Sequence, residues 1–485
     1  NFYITVSGVV LVALLVTYLW QAHSTFDSYG IKHQKSVPLV HDIIRMVRLK
    51  DHIGHNIADL YNSFPGERFV GRYEFLKEVI LIRDPELLKK ITIKDFEHFV
   101  DHSINGPKSF ITRSLFFLQG EEWKDMRSTL SPAFTSSKIR LMVPFMLEVG
   151  DHMIKALEKK LEKSKDGYID VDGKDLTTRY TNDVIASCAF GLKVDSHTDE
   201  NNDFYAMGKK RLQVFSNTLI LDFDFIPKSA QEFFINLVSS TMKEREQKKI
   251  LRPDMIHLLM EAKKGKLSHD DTKSIDDAAG FATVEESSVG RNKQDREWKD
   301  DDLVAQAFLF FVAGFESFSS SMSFLLYELA VNLDVQDHLV QEIREHDAKN
   351  DGKFDFSSIQ TMTYLDMIVL RKWPPFVMLD RQCTKEYNLG RPNDLSKKDY
   401  VLQKGAELWI PTLAFHHDPQ HYPEPEKFNP ERSRFALCEV KVMAYQLLRQ
   451  MELSPCERTC IPAKLSPDFK LRLQGGHWLR FRLRK

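Results

Sequence analysis

The stretch that decides the fold runs from Asp302 to Leu333 and reads DLVAQAFLFFVAGFESFSSSMSFLLYELAVNL. It is apolar around most of a helical circumference, which predicts one long buried helix rather than an amphipathic surface helix. The chain has 485 residues, enough to bury a sizeable core around such a helix.

The sequence before this stretch combines a strand region with a long helical region. Glu67 to Arg83 reads as strand material, and the Asp84-Pro85 turn begins a short helix at Glu86 to Lys90. From Glu121 to about Lys264, apolar residues recur at three- and four-residue spacing, which is typical of helices.

The sequence around and after the long helix adds loops, short strands and one more helix. Thr272 to Asp302 is polar and predicts an exposed loop. Beyond Pro374 the pattern is loop and short strand, with a further helix from Phe435 to Met451. The predicted fold class is mainly α with a small β portion.

The N-terminal region predicts a membrane anchor. Phe2 to Trp20 carries no charge over 19 residues, enough to cross roughly 30 Å of hydrocarbon. We therefore predict a transmembrane anchor at 2–20, a linker at 21–40 and a globular domain at 41–485. The alternative is a cleaved signal peptide. Lys32 and Lys35 follow the span, which favours a cytoplasmic location for the bulk of the chain.

Charge and cysteine content exclude several classes of protein. The formal net charge of -2 gives no global electrostatic attraction for nucleic acid, and no nucleic-acid partner is expected. The cysteines are odd in number and scattered, which indicates a reducing compartment rather than a disulfide framework. They are Cys188, Cys383, Cys438, Cys456 and Cys460. We assign no metal-ligating residue, and G-x-S-x-G, H-E-x-x-H and P-loop motifs do not occur.

Two local motifs are candidates for a functional site. Trp123-Lys-Asp-Met-Arg127 places an indole N–H and a guanidinium on one side of a helix, although a surface pair at this spacing also arises by accident. Ala313-Gly-Phe-Glu-Ser317 places a carboxylate and a hydroxyl side by side in the long helix. The alternative interpretation of this second motif is a packing notch of small residues, continued by the serines that follow it.

Together with five further stretches, in this order along the chain, these motifs resemble the cytochrome P450 family, especially its microsomal detoxifying branch that includes insect enzymes. The resemblance covers nearly the whole chain. The further stretches are Leu370–Pro375 (LRKWPP), Asp380-Arg381, Phe415–Pro419 (FHHDP), Phe428–Arg432 (FNPER) and Ser433–Cys438 (SRFALC).

The resemblance implies a cytochrome P450-like fold behind the anchor, with haem as the cofactor. It makes Trp123, Arg127 and Arg381 the donors to the haem propionates. It makes Glu316 and Ser317 the pair that relays protons to dioxygen bound at the iron; serine replaces the commoner threonine and keeps the hydroxyl.

The sequence departs from the family pattern at two junctions. The F-x-x-G-x-R-x-C-x-G loop, whose cysteine binds the haem iron, belongs between Arg432 and Ser433, and here these residues are adjacent. Ile368 stands where the E-x-x-R motif of Arg371 has its glutamate, as if residues were removed at 369–370. Arg371 would then lack its carboxylate partner. Losing one partner of a buried ion pair lowers the free energy of unfolding by about 3–5 kcal/mol.

The expected function is a haem-thiolate monooxygenase of small lipophilic substrates, inactive as written because the axial cysteine segment is missing. The alternative is a non-catalytic, membrane-bound P450 remnant or an incomplete gene model. The expected partners are NADPH-cytochrome P450 reductase and membrane lipid, on the cytoplasmic side of the endoplasmic reticulum membrane. Candidate basic residues for docking the reductase are Lys124, Lys138, Arg140 and Lys441.

Overall fold

The computed structural model describes residues 24–35, 51–74, 76–103, 110–199, 202–209, 228–264, 298–362, 364–365, 372–423, 425, 438–468 and 470–484, and eight residues before 24. The chain divides into two compact units. The first unit comprises Asn1–Asn105, Phe376–Pro423 and Pro467–Phe469, and the second comprises Gly106–Pro375, Glu424–Ser466 and Lys470–Lys485.

Helices make up most of the regular structure in the described residues, as the sequence predicts. In chain order they are α1 (Thr25–Tyr29), α2 (Ile53–Asn62), α3 (Pro85–Lys89), α4 (Gly120–Leu130), α5 (Ser136–Arg140), α6 (Val143–Glu162), α7 (Gly173–Ile185), α8 (Lys228–Lys248), α9 (Met255–Lys263), α10 (Asp300–Val331), α11 (Leu333–Lys349), α12 (Phe356–Thr361), α13 (Thr412–His416) and α14 (Cys438–Gln450). Short π-helical turns at Lys90–Lys94 and Ala186–Phe190 extend α3 and α7.

The strands form small sheets within the units. They are β1 (Phe69–Glu74), β2 (Lys77–Ile82), β3 (Ile169–Asp172), β4 (Leu379–Gln382), β5 (Tyr387–Gly390), β6 (Tyr400–Leu402), β7 (Glu407–Ile410), β8 (Met451–Pro455) and β9 (Trp478–Leu483). The first unit contains a sheet in the order β1-β2-β7-β4 and the β5-β6 pair. The second unit contains a sheet in the order β3-β9-β8.

The β1–β2 hairpin occupies the region that the sequence predicts as strand. Its register pairs Phe69 with Ile82, and both side chains are buried in the core of the first unit. The hairpin is followed by α3, because Asp84 caps that helix by accepting a hydrogen bond from the Glu86 N–H at 2.9 Å. Pro85 occupies the first helical position, where its missing N–H leaves no hydrogen bond unmade.

The predicted long buried helix is confirmed as α10, which lies in the core of the second unit. One of its faces carries Phe308, Phe311 and Phe315, which are all buried. The Phe311 ring packs against Phe234 of α8 and Phe204, with centroid distances of 4.5 and 5.2 Å. Among the described residues α10 is also the one helix apolar and long enough to cross a membrane, but most of its apolar window is buried inside the protein. It is therefore a core helix.

Several predicted segments lie outside the described residues. They are residues 21–23 and 36–40 of the predicted linker, most of the 272–302 loop and the junctions at 369–370 and 432–433. In the predicted anchor at 2–20, the eight described residues are helical and exposed. The anchor and the domain boundaries stay predictions.

Candidate functional site

Helix α4 holds Trp123 and Arg127 one turn apart, as their spacing predicts. The buried side chains of Met126 and Leu130 fix the helix in the second unit. The Arg127 Nη1 donates to the Ser131 Oγ at 3.1 Å, and this hydroxyl donates in turn to the Arg127 carbonyl at 2.7 Å. Within the described residues Arg127 has no carboxylate partner, so its charge is available to an external anion.

Arg381 lies on β4 in the first unit, opposite Leu408 of β7. Its Nη1 donates to the carbonyl of Asp380 at 2.7 Å. This is the one hydrogen bond of the Arg381 guanidinium to the described part of the chain. Burial lowers the pKa of Arg381, and the neighbouring Asp380 charge opposes this shift. A partly buried guanidinium with so few acceptors is a suitable donor to a carboxylate ligand.

The carboxylate of Asp380 is engaged by a clamp that the sequence does not predict. The His102 Nδ1 lies 2.9 Å from its Oδ1, and both the backbone N–H and the hydroxyl of Ser103 donate to its Oδ2 at 2.6 Å. Burial favours the neutral acid, but these hydrogen bonds outweigh it and lower the pKa of Asp380 to about 2. The Asp380 carboxylate is thereby turned toward the 102–103 segment rather than toward the Arg381 guanidinium.

The AGFES motif lies in the middle of α10, and its residues face different surroundings. Gly314 is buried against α7, where an added Cβ would lie 3.0 Å from the Ile185 Cδ1. The glycine thus permits close helix packing, the interpretation that the sequence leaves open beside the functional one. Ser317 is partly accessible, and its hydroxyl donates back to the Ala313 carbonyl. Glu316 is also partly accessible and forms an ion pair with Lys174 of α7 at 3.1 Å.

Comparison with known proteins shows the family of the chain. A sequence model of the family described as Cytochrome P450 matches residues 32–432. The chain belongs to the cytochrome P450 family. It is 37% identical to Cytochrome P450 9e2 of Blattella germanica, covering 98% of this chain and 96% of that protein. It is 35% identical to Probable cytochrome P450 9f2 of Drosophila melanogaster, covering 97% of both chains.

A third relative supports the same assignment to the cytochrome P450 family. Cytochrome P450 6a2 of Drosophila melanogaster is 31% identical, covering 97% of this chain and 98% of that protein. The alignment with the cockroach P450 extends over 532 residues, more than the 485 of this chain. It therefore includes positions at which the relative has residues and this chain has none.

Members of the P450 family use haem iron with an axial cysteine thiolate. Among the cysteines of the described residues, three are poorly suited to become thiolates. Burial raises the pKa of Cys188 and of Cys383, and it raises the pKa of Cys438 to about 12 with help from the Glu439 charge. A thiol that keeps its proton is a poor ligand for iron.

The remaining two cysteines lie in the turn that follows β8. The Cys456 sulfur accepts a hydrogen bond from Thr459 at 3.6 Å, and the Cys460 thiol donates to the Pro462 carbonyl at 3.4 Å. In the described part of the chain, no group of three His, Cys, Asp or Glu side chains converges on a metal position. Taken separately, Arg127 and Arg381 can each donate to an anionic group, and Cys188, Cys383 and Cys438 are poorly suited to bind iron as thiolates.

The basic residues predicted to dock the reductase divide into two sets. Lys124, Lys138 and Arg140 are at least partly exposed on α4 and α5. Lys441 is a correction to the prediction, because it is 6% exposed and donates to the Ile359 carbonyl at 3.0 Å inside the second unit. The sequence alone does not reveal that Lys441 is buried, since a lysine on a helix is usually solvated.

Proposed function

We propose that the intact parent of this chain is a haem-thiolate monooxygenase of small lipophilic substrates, with NADPH-cytochrome P450 reductase as electron donor. Membership of the P450 family and similarity to insect P450s support this reaction class. In such an enzyme the haem supplies dioxygen activation. In this chain Trp123, Arg127 and Arg381 would hold its propionates.

We further propose that this chain does not form a working haem-thiolate site. The observation that carries this is the direct junction of Arg432 and Ser433, between two stretches that each resemble segments of the family. The match to the family model ends at residue 432, which supports a discontinuity at that point. The longer alignment with the cockroach relative supports missing segments in the chain.

The proposed location is the cytoplasmic face of the endoplasmic reticulum membrane, with the chain anchored by residues 2–20. The exposed helical residues of this segment, among them Leu14 at 62% and Trp20 at 69% exposure, support a partner of low polarity. Lys124, Lys138 and Arg140 are the basic side chains that remain candidates for docking the acidic surface of a reductase.

The experiment that tests the proposal is amplification and sequencing of cDNA across positions 369–370 and 432–433. We expect additional coding sequence at both points, with a cysteine loop at the second and a glutamate three residues before Arg371 at the first. Uninterrupted reads that match this chain at both junctions would instead favour the non-catalytic P450 remnant.

A further inference from the structure

Lys174 occupies an unusual electrostatic position at the start of α7. Asp172 caps this helix by accepting from the Lys174 N–H at 3.0 Å, so Lys174 lies in the first helical turn. The positive end of the helix dipole disfavours a cation there. Only 19% of the Lys174 side chain is exposed, and burial lowers its pKa, which Glu316 opposes. The ammonium therefore needs strong local compensation.

Most of that compensation comes from α10. The Lys174 Nζ lies 3.1 Å from the Glu316 Oε1 and donates to the hydroxyls of Ser319 and Ser320, each at 2.8 Å. An ammonium has three N–H donors, and these three acceptors use all of them. The Ser320 hydroxyl donates onward to the Glu316 Oε1 at 3.2 Å, which closes the network.

The network determines where the Glu316 carboxylate points. Its partners among the described residues are Lys174 and Ser320, and both lie on the side of α10 that faces α7. The neighbouring Ser317 hydroxyl instead donates to the Ala313 carbonyl. The two side chains of the AGFES motif are thus adjacent in sequence but belong to separate hydrogen-bond networks.

Other charged groups near Lys174 do not replace Glu316. Asp172 contributes a weaker attraction and Arg472 a repulsion. Burial first, and then the Lys174 charge, lower the pKa of His477 to about 3, so this imidazole is neutral at physiological pH. Glu316 is the carboxylate that balances the Lys174 charge.

We propose that Lys174 is the positioning residue of Glu316, holding its carboxylate turned toward α7. The inference rests on the proposed function for the role of Glu316 in proton delivery. The ion pair itself can be tested without haem.

The test is carboxyl footprinting of the folded full chain with a water-soluble carbodiimide and a small amine, read by peptide mass spectrometry. With 29% of its side chain exposed, Glu316 is accessible to the reagent. We expect Lys174→Met to raise its labelling rate several-fold, because the carboxylate loses the ammonium that lies against its Oε1. Lys174→Arg, which keeps the charge, should retain most of the protection.

The matched control is Lys193→Met, which removes the exposed partner of Glu148 in the same unit. It should leave the labelling rate of Glu316 unchanged. Folding is verified by circular dichroism, and Lys174→Gln replaces the methionine variant if that variant does not fold. Unchanged labelling of Glu316 in a folded Lys174→Met or Lys174→Gln variant would overturn the inference and leave the proposed monooxygenase function untouched.

Discussion

At the scale of single residues, Glu439 places a carboxyl group in the interior of the second unit. It is 6% exposed, and its Oε1 has no hydrogen-bond partner among the described residues. Burial raises the pKa of Glu439 to about 8, against an ordinary value of 4.5, while a hydrogen bond with Thr181 opposes the shift. The carboxyl is therefore neutral in the folded protein at pH 7.

This shift predicts a pH dependence of stability. Below about pH 4.5 both folded and unfolded states are protonated at Glu439. Between pH 4.5 and about 8 the unfolded state loses the proton first. The free energy of unfolding then falls by about 1.4 kcal/mol per pH unit from this group.

Glu439→Gln removes that titration, so its stability relative to wild type should increase steadily from pH 5 to pH 8. Denaturant unfolding at four pH values measures the difference. Glu452→Gln, on the exposed side of β8, is the matched control and should show no such trend. A Glu439→Gln difference that is independent of pH would contradict the account of this residue.

At the scale of elements, α6 and α14 meet where Gly150 faces Gln446. The Gln446 Nε2 donates to the Leu147 carbonyl and to the Asp151 carboxylate, each at 3.0 Å, which holds the side chain against α6. A Cβ at position 150 would overlap the Gln446 Oε1 and lie 2.5 Å from its Cδ. The close approach of α6 and α14 at this point depends on the absence of a side chain at Gly150.

Gly150→Ala should therefore lower the free energy of unfolding by about 1–3 kcal/mol through overpacking, although alanine favours helix by up to about 1 kcal/mol. In the Gln446→Ala background the same substitution should be neutral or stabilising. Chemical denaturation of the single and double variants tests this coupling. Gly66→Ala, where nothing lies within 4 Å, is the control. Stabilisation by Gly150→Ala alone would contradict the packing argument.

The elements also show which parts of the structure a sequence can predict. Helix α10 and the β1–β2 hairpin follow from apolar patterns contained within each segment. The Asp380 clamp joins residues 277 positions apart in the sequence, so no local pattern predicts it. The Lys174–Glu316 pair likewise depends on how α7 packs against α10. Motifs identified the candidate side chains, whereas their partners are fixed by tertiary packing.

At the scale of the whole molecule, the predicted anchor at 2–20 should decide membrane association. The full chain should remain with membranes after an alkaline carbonate wash, because a mostly apolar span of 19 uncharged residues is inserted rather than adsorbed. Removing residues 1–22 should release the protein into the supernatant. Membrane retention of the truncated chain after the wash would contradict the anchor.

The central claim for the whole molecule is that this P450 family member lacks a working axial thiolate. The most direct measurement is the absorbance spectrum of the reduced protein with carbon monoxide, recorded after haem reconstitution, for the chain as given and for Cys438→Ala. We predict that neither protein shows a thiolate-type Soret band, since burial raises the pKa of Cys438 and the sequence has no F-x-x-G-x-R-x-C-x-G loop. A thiolate-type band of normal intensity that disappears in Cys438→Ala would contradict the account and identify Cys438 as the ligand.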